Sequence, residues 1–348
     1  MQIRWIQLLE FRNYRTLSYS PAPKLNILSG RNAQGKTNLL EGLAVLVTGR
    51  SFRTTRLADL PRWGAEAALV MGEIGRGEGT RTLRRAFRQI ETGAWQPSGE
   101  QCEWARVIAF DWQDLAILNG APAARRNFLD GFAGRLYASH IPGLLRYRKI
   151  LARRAVLLQT GQADRLAPWD EQLAVVGVEL LARRRAAAAA LQTELARVFP
   201  ALSGEAKKVE IRYRASLDVT EPAAFVAALE RHRRAELRRG QTLVGPHRDD
   251  LLIELDGVDA RVFGSRGQQR LLALALRLAE VLPVAEAAGT PPVLLLDDAL
   301  SELDPHVQKN VLREIQTTEQ VFLTTAEPEV PASDAARWEV KEGGLVAA

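Results

Sequence analysis

An α/β fold carrying an inserted, mainly helical second lobe is predicted by three observations. A glycine-rich loop sits between a short apolar run and a helical pattern near the start, Gly30 to Thr37. An aliphatic run near the end, Val293 to Leu296, closes on two carboxylates, Asp297 and Asp298. Between them lies a long stretch rich in alanine, leucine and arginine whose apolar residues recur three and four apart.

The elements follow in order. Residues 2–9 are apolar and β-prone, and with residues 25–29 they open a sheet. Phe11-Arg12-Asn13-Tyr14 followed by Pro21 and Pro23 reads as a turn and an irregular connection. Residues 38–47 form the helix behind the glycine loop. Residues 62–88 read as strands broken by Gly72, Gly75, Gly77 and Gly79, and residues 106–110 as a further short strand.

From about residue 123 to 199 the period is helical, as at Leu173, Val176, Leu180 and Leu181. Gly161 and Pro168 break this region into antiparallel helices, and Pro200 with Gly204 ends the last. Residues 208–217 and 251–262 return to strand patterning, the latter turning at Asp256-Gly257, before an apolar helix at 271–282. The expected divisions are 1–113 and 271–348 for the two parts of a nucleotide-binding lobe, with 114–270 as the helical insertion.

Gly30-Arg31-Asn32-Ala33-Gln34-Gly35-Lys36-Thr37 fits G-x-x-x-x-G-K-[ST] at every fixed position. The glycines let the backbone curl into a nest of N–H donors, and the following helix, opening at Asn38, aims its positive end at phosphates. Lys36 is placed to reach the outer phosphates of ATP and Thr37 to ligate Mg²⁺. An acid at the end of a central parallel strand stands beside such a loop, so Asp297 is the second metal ligand and Asp298 the candidate to polarise an attacking water. Gln113 is the candidate for a glutamine that senses the metal.

Ser265, Gly267 and Gln268 open the apolar helix at 271 and offer a second anion site without a lysine. A plain N-cap with a glycine turn would look the same. Because one loop already serves the γ-phosphate, a second nest points to an ATP held by another subunit, giving a head-to-tail pair with two-fold symmetry.

Net charge is +6 with a pI near 9.7, almost all of it from arginine. Residues 146–154 hold five basic residues and no acid, residues 231–239 hold five arginines against Glu236, and Arg183-Arg184-Arg185 is a third cluster. As helices these would carry basic faces suited to the phosphate backbone of a nucleic acid; solvated helix surface is the bland alternative. One cysteine and four histidines exclude a disulfide framework and leave no recurring metal-ligand spacing. The charges among the first residues exclude a signal peptide, and no run reaches the ~18 apolar residues of a membrane span, so a cytoplasmic location is expected.

The order of phosphate loop, serine-led segment, strand with paired acids and then Ser301-Glu302-Leu303-Asp304 resembles the ABC-type head ATPases, the class that includes SMC proteins. Within that class the chain resembles the RecF family of recombinational repair proteins. The resemblance rests on Leu8, Phe11-Arg12-Asn13-Tyr14 and Leu17, on Arg125-Arg126, Phe128-Leu129-Asp130, on Gly245-Pro246-His247-Arg248-Asp249-Asp250, on Ser265 to Arg270 and on Leu296 to Asp304. It implies an ABC-like head without a long coiled coil and ATP-dependent dimerisation. It further implies slow, DNA-stimulated ATP hydrolysis, binding to double-stranded DNA near single-strand gaps, and cooperation with RecO and RecR in loading RecA.

Two residues depart from the wider head pattern. Thr324-Thr325 stands where a histidine often follows the last strand, and Asp298 stands where glutamate is more usual. His247 reads as part of a knot of hydrogen bonds at the lobe boundary. Two other classes share some of these features. The ATP-binding subunit of a membrane transporter uses the same half-site logic but needs an apolar coupling groove rather than basic helices. A small-molecule kinase leaves Ser265 to Gln269 unexplained.

Overall fold

The computed structural model describes residues 1–327, 330–332 and 334–347. The chain divides into two compact units. One comprises Met1–Asp114, Val198–Ala206 and Arg270–Ala348, the other Leu115–Arg197 and Lys207–Gln269.

The first unit has two sheets. A six-stranded sheet runs in the order Gly344–Ala347, Ala336–Lys341, Leu25–Ser29, Gln320–Thr324, Val293–Leu296, Val107–Phe110. Its pairings are parallel except for the edge hairpin of the last two chain strands. The strands at its centre are aliphatic without alternation because both faces are covered: all four residues of Val293–Leu296 are fully buried. The second sheet is antiparallel, in the order Tyr14–Tyr19, Gln2–Phe11, Ala67–Arg76, Gly79–Gln89, Trp95–Ser98.

The helix Lys36–Thr48 packs against strands of both sheets and is buried from Leu39 to Val47 without a break, which is why its sequence carries no polar stripe. Gly72 marks a place where the antiparallel sheet comes very close to this helix. A Cβ there would lie 2.4 Å from the Trp5 carbonyl oxygen and 2.6 Å from Leu46 Cδ2. Gly72 and Gly75 therefore lie inside a continuous strand, and the expected break occurs only near Gly77, whose φ is +56°. Tyr14–Tyr19, expected as irregular chain, is a strand paired with Gln2–Phe11, the turn being made at Arg12 with φ +55°.

The second unit is built from the helices Pro122–Leu136, His140–Gln159 and Pro222–Arg239, most of the helix Ala167–Ser203, and a small sheet in the order Val258–Asp259, Asp250–Leu255, Val209–Arg214. Leu144, Tyr147, Leu173, Leu180, Phe225 and Leu229 lie in its apolar core. Asp256 and Gly257, with φ of +52° and +80°, make the expected tight turn, but the chain then forms the short helix Ala260–Phe263 instead of continuing as strand. Pro200 does not stop its helix, which runs on to Ser203 and ends at Gly204 with φ +71°. The apolar segment at 271 forms two helices, Arg266–Leu278 and Val281–Ala288.

Two arginines counted in the basic clusters are core residues. Arg154 is fully buried, donating to Asp170 at 2.7 Å, to Glu236 at 2.6 Å and to Thr242 Oγ1 at 2.7 Å. Arg184 donates to both oxygens of Asp130 at 2.8 Å and to the Pro246 carbonyl at 2.6 Å. Buried guanidinium groups are tolerable only when paired in this way.

Candidate nucleotide site

The loop between the strand Leu25–Ser29 and the helix Lys36–Thr48 holds three residues at positive φ: Gly30 at 140°, Ala33 at 66° and Gly35 at 117°. A Cβ on Gly30 would lie 2.5 Å from the Val340 carbonyl oxygen. One on Gly35 would lie 2.6 Å from Asn13 Nδ2 and 2.9 Å from the Tyr14 hydroxyl. Both glycines are thus required by conformation and by space.

The tip of the N-terminal hairpin supports the loop. Tyr14 donates its hydroxyl to the Gly35 carbonyl at 3.0 Å, and Asn13 donates to the Gln34 carbonyl at 3.1 Å while accepting from Asn38 Nδ2 at 2.8 Å. Gln34 in turn accepts from the Glu342 backbone N–H at 2.7 Å. Arg12 donates to both oxygens of the fully buried Glu41, and Ser51 and Arg53 donate to the same carboxylate. Arg53 also donates to Asn38 Oδ1 at 2.8 Å.

Lys36 Nζ donates to the carbonyls of Gly30 at 2.5 Å and Arg31 at 3.0 Å. Its partial burial lowers the ammonium below the usual lysine range, a drop opposed by the charges of Asp298 and Asp297. Across the sheet, Thr37 Oγ1 lies 2.9 and 2.8 Å from the two oxygens of Asp297. The two residues expected to ligate a metal are therefore together, although 260 positions apart in sequence. A hydroxyl and a carboxylate are the hard oxygen donors that suit Mg²⁺.

Several participants were not foreseen. Thr324, at the end of the neighbouring strand, donates to Asp297 Oδ1 at 2.7 Å and accepts from the Asp298 backbone N–H at 2.9 Å. Asp298 takes φ +52°, and Arg270 donates to its carbonyl and to Ser301 Oγ, both at 2.6 Å. Asp111 ends the strand beside that of Asp297; burial, with Asp114 beside it, pushes its carboxyl up to about 6. No local pattern marks a threonine, an arginine or a lone aspartate for such duties.

Arg270, Asp297, Asp298 and Thr324 line a cavity of about 520 Å³ with Asn32, Ala33, Gly35, Lys36, Thr37 and Asn38, together with the exposed Trp112. That size is ordinary for a small-ligand site. Gln113 is not drawn to Thr37 and Asp297; its side-chain amide donates to the Arg53 carbonyl at 3.4 Å. Ser265, Gly267 and Gln268 belong to the second unit. There Gln268 N donates to Ser265 Oγ at 3.2 Å and Ser265 N to Gln268 Oε1 at 3.0 Å, a reciprocal cap on the helix Arg266–Leu278. A Cβ on Gly267 would meet nothing within 4 Å.

The chain matches known proteins over most of its length. A family model described as AAA domain, putative AbiEii toxin, Type IV TA system matches residues 25–330. The DNA replication and repair protein RecF of Heliobacterium modesticaldum is 36% identical over 344 residues, covering 93% of this chain and 92% of the relative. The chain belongs to the RecF family. RecF of Synechococcus sp. is 38% identical over 347 residues, covering 93% of this chain and 91% of its own length. The solved recombination mediator protein RecF-ATPrS of the RecFOR pathway superposes with TM-score 0.87 at 28% identity, over 99% of this chain and 98% of that one. The Smc head domain of Pyrococcus furiosus superposes with TM-score 0.56 at 16% identity, covering 99% of this chain and 96% of that one, a likeness of fold alone. The Leu8 to Leu17 motif on which the resemblance to RecF proteins partly rests includes the hairpin tip that supports the phosphate loop.

Proposed function

We infer that this protein works in DNA replication and repair as an ATP-governed recombination mediator, in which MgATP joins two copies on DNA and its slow hydrolysis releases them. The observation that carries the reading is the division of labour between the two nucleotide motifs. Asn32, Ala33, Gly35, Lys36 and Thr37 converge with Asp297, Asp298 and Thr324 on one cavity, whereas Ser265 and Gly267 are exposed and a Cβ on Gly267 would meet open space. Glycine within the first turn of a helix is less favourable than alanine by up to about 1 kcal/mol. Nothing in its own chain demands it at 267, so a close approach by a second copy supplies the reason.

The residues fit MgATP: the loop offers backbone N–H groups and Lys36 to the phosphates, and Thr37 with Asp297 offers oxygens to the metal. When bound, the metal would neutralise phosphate charge, and Asp298 is the carboxylate available to orient water. Two helices of the second unit support DNA as partner. Arg146, Lys149 and Arg153 on one, and Arg231, Arg234 and Arg238 on the other, are exposed with i, i+3, i+7 spacing. Each set forms one face of a helix able to follow a phosphate backbone. Cooperation with RecO and RecR in loading RecA in the cytoplasm belongs to the same reading. The transporter alternative is not favoured: the relatives are repair proteins, and no helix among the described residues is long and apolar enough to cross a membrane.

Light scattering with and without MgATP, and with a short gapped duplex, tests the proposal. A mass that doubles only with ATP, and more readily on DNA, is expected. A monomer indifferent to both would overturn it in favour of a phosphate-loop kinase.

A further inference from the structure

The second unit contains a cavity of about 190 Å³ whose wall includes Arg126, Asp130, Tyr147, Arg148, Arg184 and His247. The carboxylates of this neighbourhood are already engaged. Asp130 accepts from Arg184 on both oxygens and meets His140 Nε2 at 2.9 Å. Asp249 accepts from Ser216 N at 2.7 Å, from the Tyr213 hydroxyl and from Arg184 at 3.4 Å.

Two cations are left over. Arg126 donates only to the backbone carbonyl of Asp249, at 2.8 Å, and Arg148 makes no hydrogen bond or ion pair among the described residues. Burial and the like charge of Arg184 hold the Arg126 guanidinium below its ordinary range, a drop opposed by the nearby charges of Asp250, Asp249 and Asp130.

The histidine does not compete for that role. His247 Nε2 faces the Thr242 carbonyl at 3.1 Å and so carries the proton, which leaves Nδ1 to accept from the Tyr147 hydroxyl at 3.0 Å. Burial pushes this imidazole down to about 4, so it is neutral at physiological pH. The wall thus presents two guanidinium groups that form no ion pair among the described residues, planar donor forks matched to phosphate oxygens.

At ~30 Å³ per water, the cavity has room for about six, enough for a phosphate group with a few waters. An internal phosphodiester carries a sugar on each side and must lie across a surface. A strand end can reach into a small recess.

We propose that this cavity binds a phosphomonoester, the terminal phosphate of a nucleic-acid strand, through Arg126 and Arg148. The inference rests on the DNA-binding reading above and adds to it a way of recognising where a strand stops.

The test is fluorescence anisotropy with gapped duplexes whose strand at the gap ends in a 5′-phosphate, a 3′-phosphate or only hydroxyls. It uses the full chain and the variants Arg126→Gln and Arg148→Gln, the latter at an exposed position that folding does not need. One phosphorylated end should bind about tenfold tighter than its hydroxyl counterpart, as expected for a new charge-assisted contact. Both variants should lose that preference while binding hydroxyl-ended DNA nearly as before. Equal affinity for all ends, or a preference that survives both variants, would overturn the pocket and leave DNA binding standing. Absence of binding to any duplex would overturn both readings. Thermal stabilisation by inorganic phosphate without an end preference would assign the cavity to a free anion and overturn the strand-end assignment.

Discussion

The loop Gly30 to Thr37 and the segment Ser265 to Gln268 are both helix N-termini rich in donors, yet they are built in opposite ways. The loop is held from several sides by its own unit: Asn13 and Tyr14 from the hairpin, Glu342 from an edge turn, Asp297 from a central strand. Among the described residues the side chains of the serine segment are tied only within the segment, by its reciprocal cap, and a Cβ on Gly267 would meet nothing within 4 Å. A ligand site finished within one unit needs only its ligand. A donor-rich helix start left bare suits a surface that is completed by another molecule.

Substitutions on each side can break that contrast. The largest effect is expected for Lys36→Met, which removes the only lysine of the loop and should weaken ATP binding by at least about a hundredfold in a direct titration. Unchanged affinity would remove the loop from the site. Ser265→Arg should leave ATP affinity nearly intact and abolish the ATP-dependent doubling of mass; a variant that still doubles would show that the bare segment faces no partner.

Between these lies the metal end. Thr324→Val strips one of the hydroxyls that hold Asp297, and the affinity for nucleotide with Mg²⁺ should fall about tenfold, as for other groups that orient a metal ligand. Affinity for nucleotide without the metal should change little, and equal losses in calorimetric titrations with and without Mg²⁺ would argue for a packing defect. Gly267→Ala should hold or raise Tm, since alanine favours the helix by up to about 1 kcal/mol, while weakening the pairing several-fold. If sedimentation shows pairing untouched, no close approach occurs at that position.

The smallest effect concerns stability alone. The Asp111 carboxyl is raised in the fold, so its favourable contribution is present below the unfolded value of 3.8 and is lost as pH rises through about 6. Asp111→Asn should therefore stabilise the protein at pH 7 by on the order of 1–3 kcal/mol, with the gain shrinking as pH falls toward 4. Urea unfolding of both forms across that range gives the answer, and a pH-independent difference would contradict it.

The parts legible in the sequence are those written in local spacing. The phosphate loop, the strand before it and the helix behind it are forced by consecutive residues, and the four aliphatics before Asp297 mark a strand covered on both faces. The Thr37–Asp297 pair was legible across 260 positions because both ends carry a motif, whereas ties made by residues outside any motif were not. Thr324 is just a threonine until the sheet places its strand beside that of Asp297. Charge counting failed differently, because it is blind to burial: Arg154 and Arg184 look like surface cations in a basic run and are instead paired in the interior. Pro200 misled because a proline near a helix end reads as a stop, while the chain makes its stop at a glycine with positive φ.

The hairpin tip at Asn13 and Tyr14 has one more consequence. Because two of its side chains hold the backbone of the phosphate loop, the first strands of the chain act as a splint on a part that meets its ligand. Whatever stiffens the loop must also quieten the splint. Amide hydrogens from Leu8 to Leu17, well away from any phosphate contact of their own, should exchange more slowly when nucleotide arrives, making the antiparallel sheet a gauge of occupancy at its neighbour.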